Sequence, residues 1–292
     1  MRIIVTGAGG QVGWELVRRA PLLGHEVLAW DVAELDISNA AAVDAALAAS
    51  GADVLINAAA YTAVDKAEQE PALAFAVNRD GPAHLAAACQ RLHIPLLHIS
   101  TDYVYDGSKA GPWLENDAPA PLGVYGASKL AGDEAVRQIL PRHLILRVSW
   151  VFGVHGHNFV KTMLRLARER EELRVVADQQ GCPTFAGDIA DVLLELAGRS
   201  AEIDARDAWG IYHYGGAPLT SWHGFASAIV ASARARETLP VQRVTAIATT
   251  DYPTPARRPL NSVLDCSKLA DRFGIRPRPW QAGLDALLDA GA

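Results

Sequence analysis

The sequence predicts a doubly wound α/β fold, a parallel sheet flanked by helices, with a smaller α/β lobe interlocked at its C-terminal side. Short runs rich in Val, Ile and Leu alternate with helix-like stretches over the first 150 residues. That is the pattern of strands buried on both faces and joined by crossover helices. A glycine-rich turn, "TGAGGQVG" (6–13), follows the first run and opens the first helix. After residue 150 the rhythm loosens with no linker-like tract between the halves, so the second lobe is expected to be fused to the first.

The elements follow in order. "RIIVTG" (2–7) reads as a strand and "GWELVRRAPLLG" (13–24) as a helix closed near Gly24. "HEVLAWD" (25–31) is a strand, and "NAAAVDAALAAS" (39–50) is an Ala-rich helix with Ser38 as its expected N-cap. "DVLINAAA" (53–60) is a strand, 70–92 a long helix, and "PLLHIST" (95–101) a strand. A loop rich in Gly, Pro and Asp occupies about 106–123, before a helix over 125–139 and the strand "HLILRVSW" (143–150). In the second lobe, 159–171 is helical, 178–198 is a Gly/Pro turn and then a helix, and 210–216 is a strand. The Pro- and Arg-rich segment 252–265 is extended, and 279–291 closes the chain as a helix.

Half of the 292 residues are hydrophobic and the formal net charge is −6. This composition fits a soluble globular protein and argues against a nucleic-acid surface or a polybasic membrane patch. No run is long enough to span a bilayer, and the N-terminus enters a strand without the layout of a signal peptide. The expected location is the cytoplasm. Cys89, Cys182 and Cys266 are scattered, with no metal-ligand spacing, and read as buried thiols of a reducing compartment.

Gly7, Gly10 and Gly13 give a GxxGxxG spacing suited to a dinucleotide pyrophosphate. Gly7 permits the tight turn, Gly10 opens the backbone to the phosphates, Gly13 allows close packing, and the helix N-terminus adds partial positive charge. Asp31, at the end of the second strand, is placed to accept from an adenosine ribose 2′-OH, favouring NADH. No basic residue follows it closely, and Arg18 and Arg19 are weak substitutes as partners of a 2′-phosphate. Asp36 and Ile37 stand where an adenine would lie, although Asp36 also reads as a simple turn residue. The small side chains of "NAAAYT" (57–62) allow a flat ligand close to the backbone, or else tight helix–strand packing. We therefore take 1–150 as an NAD(P)-binding domain, with segments near 185–214 returning to it, and 151–292 as mainly a substrate-binding lobe.

A nicotinamide implies hydride transfer, and ketone reduction needs a proton donor at the carbonyl oxygen. In "VYGASKLAG" (124–132), Tyr125 and Lys129 lie one helical turn apart on one face. A free tyrosine is a poor acid–base group near neutrality, and a nearby ammonium lowers its pKa. "STDYVYDG" (100–107) offers Ser100 and Thr101 at the end of the fourth strand, beside that helix. Glycine turn, strand-end hydroxyl and Tyr–Lys pair thus converge on one sheet edge.

Together with "NAAAYTAVDKAE", "RVSWVFG", "NFVKTMLRLA" and "YPTPARRPLNSVLD", these motifs resemble the dTDP-4-dehydrorhamnose reductases, a family of extended short-chain dehydrogenases/reductases, over nearly the whole chain. The resemblance implies reduction of the 4-keto group of dTDP-4-dehydro-β-L-rhamnose by NADPH or NADH, which softens the preference for NADH. It implies Tyr125 as proton donor, Lys129 as pKa regulator and ribose ligand, and Thr101 as hydrogen-bond partner of the substrate oxygen. Thr101, Asp102 and Trp150 would touch the dTDP-linked deoxysugar. Gly10, Gln11 and Val12 would hold the pyrophosphate, and Asp31, Asp36, Ile37, Ala60, Tyr61, Thr62 and Ile99 would line the rest of the cofactor. Plainer roles stand beside these: Trp150 as a packed ring, Thr101 as the cap of the next turn, Arg257 and Arg258 as a solvated pair rather than diphosphate ligands. Asn78 is given a structural role near Lys129.

Some relatives dimerise through a metal bridging acidic residues. Glu15 is present here, but Gly187 stands where they carry a glutamate, so no metal is expected and the state is monomer or homodimer. Two other functions compete. One is a non-catalytic regulatory subunit of the methionine adenosyltransferase type, disfavoured by the joint presence of Thr101, Tyr125 and Lys129. The other is a sugar-nucleotide epimerase or dehydratase, disfavoured because Asp102 and Tyr103 follow Thr101 where dehydratases need an acid/base pair.

Overall fold

The computed structural model describes residues 1–200, 203 and 208–291. Its strands are β1 (Arg2–Thr6), β2 (Glu26–Trp30), β3 (Val54–Asn57), β4 (Leu96–Thr101), β5 (His143–Val148), β6 (Val151–Phe152), β7 (Glu172–Val176), β8 (Gln180–Gly181), β9 (Thr184–Phe185), β10 (Gly210–Tyr214), β11 (Thr220–Ser221) and β12 (Arg243–Ile247). Its α-helices are α1 (Gln11–Arg19), α2 (Ala40–Ser50), α3 (Val64–Ala67), α4 (Pro71–Phe75), α5 (Gly81–Leu92), α6 (Val124–Ile139), α7 (Phe159–Glu169), α8 (Ala186–Arg199), α9 (Trp222–Arg234), α10 (Ser267–Phe273) and α11 (Trp280–Asp289).

Six strands form an all-parallel sheet in the order β10-β5-β4-β3-β1-β2. The Val/Ile/Leu runs of β1 and β3, with Leu96 and Leu97 of β4, are fully buried because apolar layers cover both faces. One layer seats Val12 and Leu16 of α1, Ile189 and Leu193 of α8 and Leu269 of α10. The other seats Leu47 of α2, Leu85 of α5 and Val136 of α6. The order reverses between β1 and β3, and a doubly wound sheet opens its ligand crevice at that switch point, beyond the strand C-termini.

β10 returns from the second half to pair with β5, and α8 packs on α1. Of the stretch 185–214, residues 201–202 and 204–207 lie outside the described residues. The second lobe has its own core, built from Phe152, Val160, Leu164, Phe225, Ile229 and Leu284. It contains elements the sequence reading did not separate: the parallel pair β7–β12 and the helix α9.

Three local expectations change. Asn39, not Ser38, caps α2, accepting from the Ala42 amide, while Ser38 bonds to Asp36. The helix expected over 70–92 is broken by a π-turn at 76–80. Pro82 has no N–H to give to the Asn78 carbonyl and its ring would crowd it, so a wider turn forms, with the Gly81 amide on Ala76. All three cysteines are free and buried, as expected, and burial pushes their thiols up to about 12, 11 and 12 in chain order.

Candidate active site

The glycine turn sits at the switch point. Gly7 has φ 70°, and a Cβ on Gly13 would lie 2.0 Å from the Gly7 carbonyl, so the turn tolerates no side chain at either place. Gly10 is the N-cap of α1, with no side-chain cap and no acid in the first turn. The amides and dipole of that helix end therefore suit a diphosphate. Asp31 stands directly over the turn: a Cβ on Gly9 would meet its carboxylate at 2.2 Å. From the other lobe, the Asn158 amide donates to Gln11 at 3.1 Å and His155 stacks on Trp14 at 5.3 Å, closing a loop over the turn.

Asp36 is exposed and accepts from Ser38. The Ile37 side chain is buried against Gly81 at the start of α5. Ala60, Tyr61 and Thr62 leave β3 along the same edge. The Asn78 side chain clamps Tyr61 from both sides, accepting from its amide at 2.8 Å and donating to its carbonyl at 3.0 Å, and also reaches Ser128 at 3.0 Å. The π-turn points Asn78 inward, which gives substance to its expected structural role.

Thr101 ends β4 and Tyr125 opens α6. The Thr101 hydroxyl bears on the Tyr125 phenol, drawing its pKa down, and it accepts from the Tyr103 amide at 3.2 Å, so it caps the next turn as well. Burial pushes Tyr125 up to about 12, against the pull of Thr101, with the Asp102 and Asp133 charges adding to the rise. The Lys129 ammonium donates to the Ile99 carbonyl at 2.7 Å, with His98 at 3.5 Å. Burial brings Lys129 down to about 8, opposed by the charge of Asp133.

The small residues of α6 sit against neighbouring backbone. A Cβ on Gly126 would strike the Tyr103 carbonyl at 2.2 Å, and one on Gly132 the Asn78 carbonyl at 2.0 Å. They let α6 lie directly on the backbone of its neighbours.

Asp102 is 2% exposed, accepts from Thr101 at 3.0 Å, and is pushed up to about 6 by burial. Trp150 has φ 49°, uncommon for a bulky residue. Its ring stacks on Trp222 at 3.6 Å, and Gly181 leaves the room for it. Trp222 lines a cavity of about 810 Å³ between the lobes, with Tyr103, Phe159, Arg174, Tyr252 and Arg258. Tyr103 joins this cavity to Tyr125 through an edge-on contact at 5.4 Å. Of the arginine pair, Arg257 is exposed, whereas Arg258 lines the cavity and is bound to Asp65 at 2.8 Å.

Behind the site runs a buried polar string absent from the sequence reading. Thr6 donates to Asn57 at 2.7 Å, and Asn57 contacts His98 at 2.9 Å. His98 lies 3.9 Å from Asp133, which accepts from Arg147 at 3.1 Å. Arg147 donates to Tyr105 at 2.8 Å, which meets His213 at 3.0 Å. Burial holds His98 well below its ordinary range and His213 at about 3.

A dinucleotide turn, a Thr–Tyr hydroxyl pair, a buried lysine and an inter-lobe cavity now share one edge of one sheet. The family model described as "RmlD substrate binding domain" matches residues 1–292. The dTDP-4-dehydrorhamnose reductase of Aggregatibacter actinomycetemcomitans is 48% identical over 285 residues, with 97% of each chain covered. The chain belongs to the dTDP-4-dehydrorhamnose reductase family. The Escherichia coli K12 reductase is 43% identical, covering 99% of this chain and 97% of its own. Among solved structures, the Clostridium acetobutylicum reductase superposes with TM-score 0.92 at 37% identity, covering 99% of each chain. The Bacillus anthracis reductase, in complex with NADP, gives TM-score 0.91 at 35% identity, covering 99% of this chain and 98% of its own. Within this family the expected fold class is borne out. Among the described residues no helix is long and apolar enough to cross a membrane.

Proposed function

We propose that this chain reduces dTDP-4-dehydro-β-L-rhamnose to dTDP-L-rhamnose, with NADPH or NADH as the reductant. The bound nicotinamide would supply hydride to the keto carbon. Tyr125 donates its phenolic proton to the keto oxygen as negative charge develops there. Its burial keeps the phenol protonated across the neutral range, as a donor requires. Thr101, whose hydroxyl donates to Asp102 at 3.0 Å, turns that one proton to the keto oxygen when substrate binds and helps fix its position. Lys129 holds a positive charge one helical turn away as the phenolate forms.

Gly7, Gly10, Gln11, Val12 and Gly13 are the residues for the pyrophosphate. Asp31 and the 60–62 segment, with Ile99 beside Lys129, serve the two nucleoside ends. Asp102 and the Trp150–Trp222 stack flank the sugar nucleotide.

The observation that carries this function is the convergence of Thr101, Tyr125 and Lys129 on one sheet edge, with Tyr103 in edge-on contact with Tyr125 and lining the inter-lobe cavity. The experiment supplies purified protein with the keto-sugar, generated in place by the preceding epimerase, and follows absorbance of the reduced cofactor. Substrate-dependent oxidation of NADPH or NADH is expected. A chain that binds cofactor but oxidises neither form would be a binding protein, not a reductase.

A further inference from the structure

We infer that Asp133 is a positioning residue that keeps Lys129 protonated, acting from the rear of the site without touching substrate or cofactor. The proposal rests on the reductase function above, but its decisive test does not require turnover.

Asp133 lies one turn along α6 from Lys129 and is 1% exposed. One carboxylate oxygen is fixed by Arg147, itself 2% exposed. The other, Oδ1, is buried with no hydrogen-bond partner in the structure. A buried carboxylate with one oxygen unsatisfied needs a compensating role, and Asp133 is the group that opposes the loss of the lysine's charge.

His98 is the obvious rival, because its Nε2 lies 3.5 Å from the ammonium. Its protonation is set elsewhere. Asn57 Oδ1 accepts from both the Thr6 hydroxyl and the Ala59 amide, so Asn57 presents its NH₂ to His98 Nδ1. Nδ1 is then the acceptor, and the neutral ring carries its proton on Nε2. That proton faces Asp133 Oδ1 at 3.9 Å. A protonated Nε2 cannot take a proton from Lys129, so His98 does not serve as the lysine's base.

The remaining titratable groups do not replace Asp133. Tyr125 shares the helix and is neutral, Asp102 beyond β4 bears on Tyr125, and His143 on β5 is lowered by burial. Glu115, Glu134, Arg137 and Lys268 face Asp133 across a separate cavity of about 1010 Å³, which Asp133 and Arg147 also line. Without Asp133, two buried cations would remain, and Arg147 cannot lose its proton. Lys129 would lose its own.

The test exploits the chain's five lysines, few enough to resolve the side-chain nitrogen signals by NMR with ¹⁵N-labelled lysine. Native Lys129 should be charged at neutral pH, titrating near 8. In Asp133→Asn its titration should move down by about one unit or more, and the alkaline limb of kcat should move with it. Asp133→Glu should restore both. Asp133→Asn leaves Arg147 buried and uncompensated; if that variant does not fold, Asp133→Asn with Arg147→Met replaces it, and a smaller downward shift is expected. A native Lys129 already neutral at pH 7, or a titration unmoved in whichever variant folds, overturns the proposal. An inactive native enzyme with a shifting lysine refutes only the proposed reaction.

Discussion

The two ends of the crevice are built differently. At the β4–α6 end, Thr101, Asp102 and Lys129 are each at most 5% exposed, and the polar string behind them ties together side chains of β1, β3, β4, β5 and α6. At the β2 end, Asp31 and Asp36 are exposed, and their hydrogen bonds stay within four residues. The first end holds chemistry in a low-dielectric, pre-organised setting, where one misplaced proton matters. The second presents carboxylates on loops, where recognition can change without disturbing the fold.

The largest effect belongs to the buried end. Tyr125→Phe removes the proposed acid but keeps the ring that packs edge-on against Tyr103. Turnover should fall by about 10²–10⁴-fold, while cofactor affinity, measured by fluorescence titration, stays within about twofold. Unchanged turnover would erase the contrast, because the buried end would then be scaffolding only. Between the two ends, Gly13→Ala places a methyl 2.0 Å from the Gly7 carbonyl. The turn must shift, at a cost of roughly 1–3 kcal/mol. A lower Tm and at least about tenfold weaker cofactor binding are expected.

Asp102 tests whether the buried end is arranged for stability or for function. Its folded pKa, pushed up to about 6, lies above its unfolded value. The folded state therefore binds the proton more tightly than the unfolded state. Stability falls as pH rises from about 4 through 6 and is flat above that. Asp102→Asn should remove this penalty and stabilise the chain at pH 7 by about 1–3 kcal/mol, read by denaturant melts at pH 5 and pH 7. The gain should nearly vanish below pH 4. An equal gain at both pH values would mean that the carboxylate is not the source of strain. Reduced activity in the same variant would place Asp102 among residues whose cost to folding is retained for binding.

The same contrast explains how much could be read from the sequence. Strands β1 to β5 stood out because burial on both faces leaves uninterrupted apolar runs. The glycine turn and the Tyr125–Lys129 spacing were legible because each is local. Asn57, His98 and Arg147 were not. Each is a polar residue inside a buried strand, and its partner lies on another element 14 to 51 residues away. Asp133 gave the one usable signal, an acid one turn beyond Lys129. The second lobe was harder for a related reason. β7 and β12 form a two-stranded sheet, β7 alternating in burial and β12 with no buried residue, and nothing in either run points to a partner 71 residues away. Trp222, whose ring backs Trp150, sits at the start of the helix α9, which the apolar pattern did not separate.

The smallest expected effect lies at the exposed end. Asp31 faces the glycine turn from the end of β2, so its carboxylate can accept from a ribose 2′-OH and repels a 2′-phosphate. The nearby basic residues are already engaged: Arg18 and Arg19 both pair with Glu15, and Arg19 also with Asp191. Neither is free to serve a 2′-phosphate without losing an ion pair. Asp31→Ser keeps a short polar side chain and removes the charge. The ratio of kcat/KM for NADPH to that for NADH should rise by about tenfold, close to 1.4 kcal/mol, with little change in Tm because the side chain is exposed. The change should come from both sides, with NADH weakened by loss of an acceptor and NADPH strengthened by loss of repulsion. High salt screens an exposed charge, so it should shrink the NADPH part and leave the NADH part in place. A ratio that does not move would reduce Asp31 to a surface acid at a strand end and shift cofactor choice to the loop that His155 and Asn158 hold over the glycine turn.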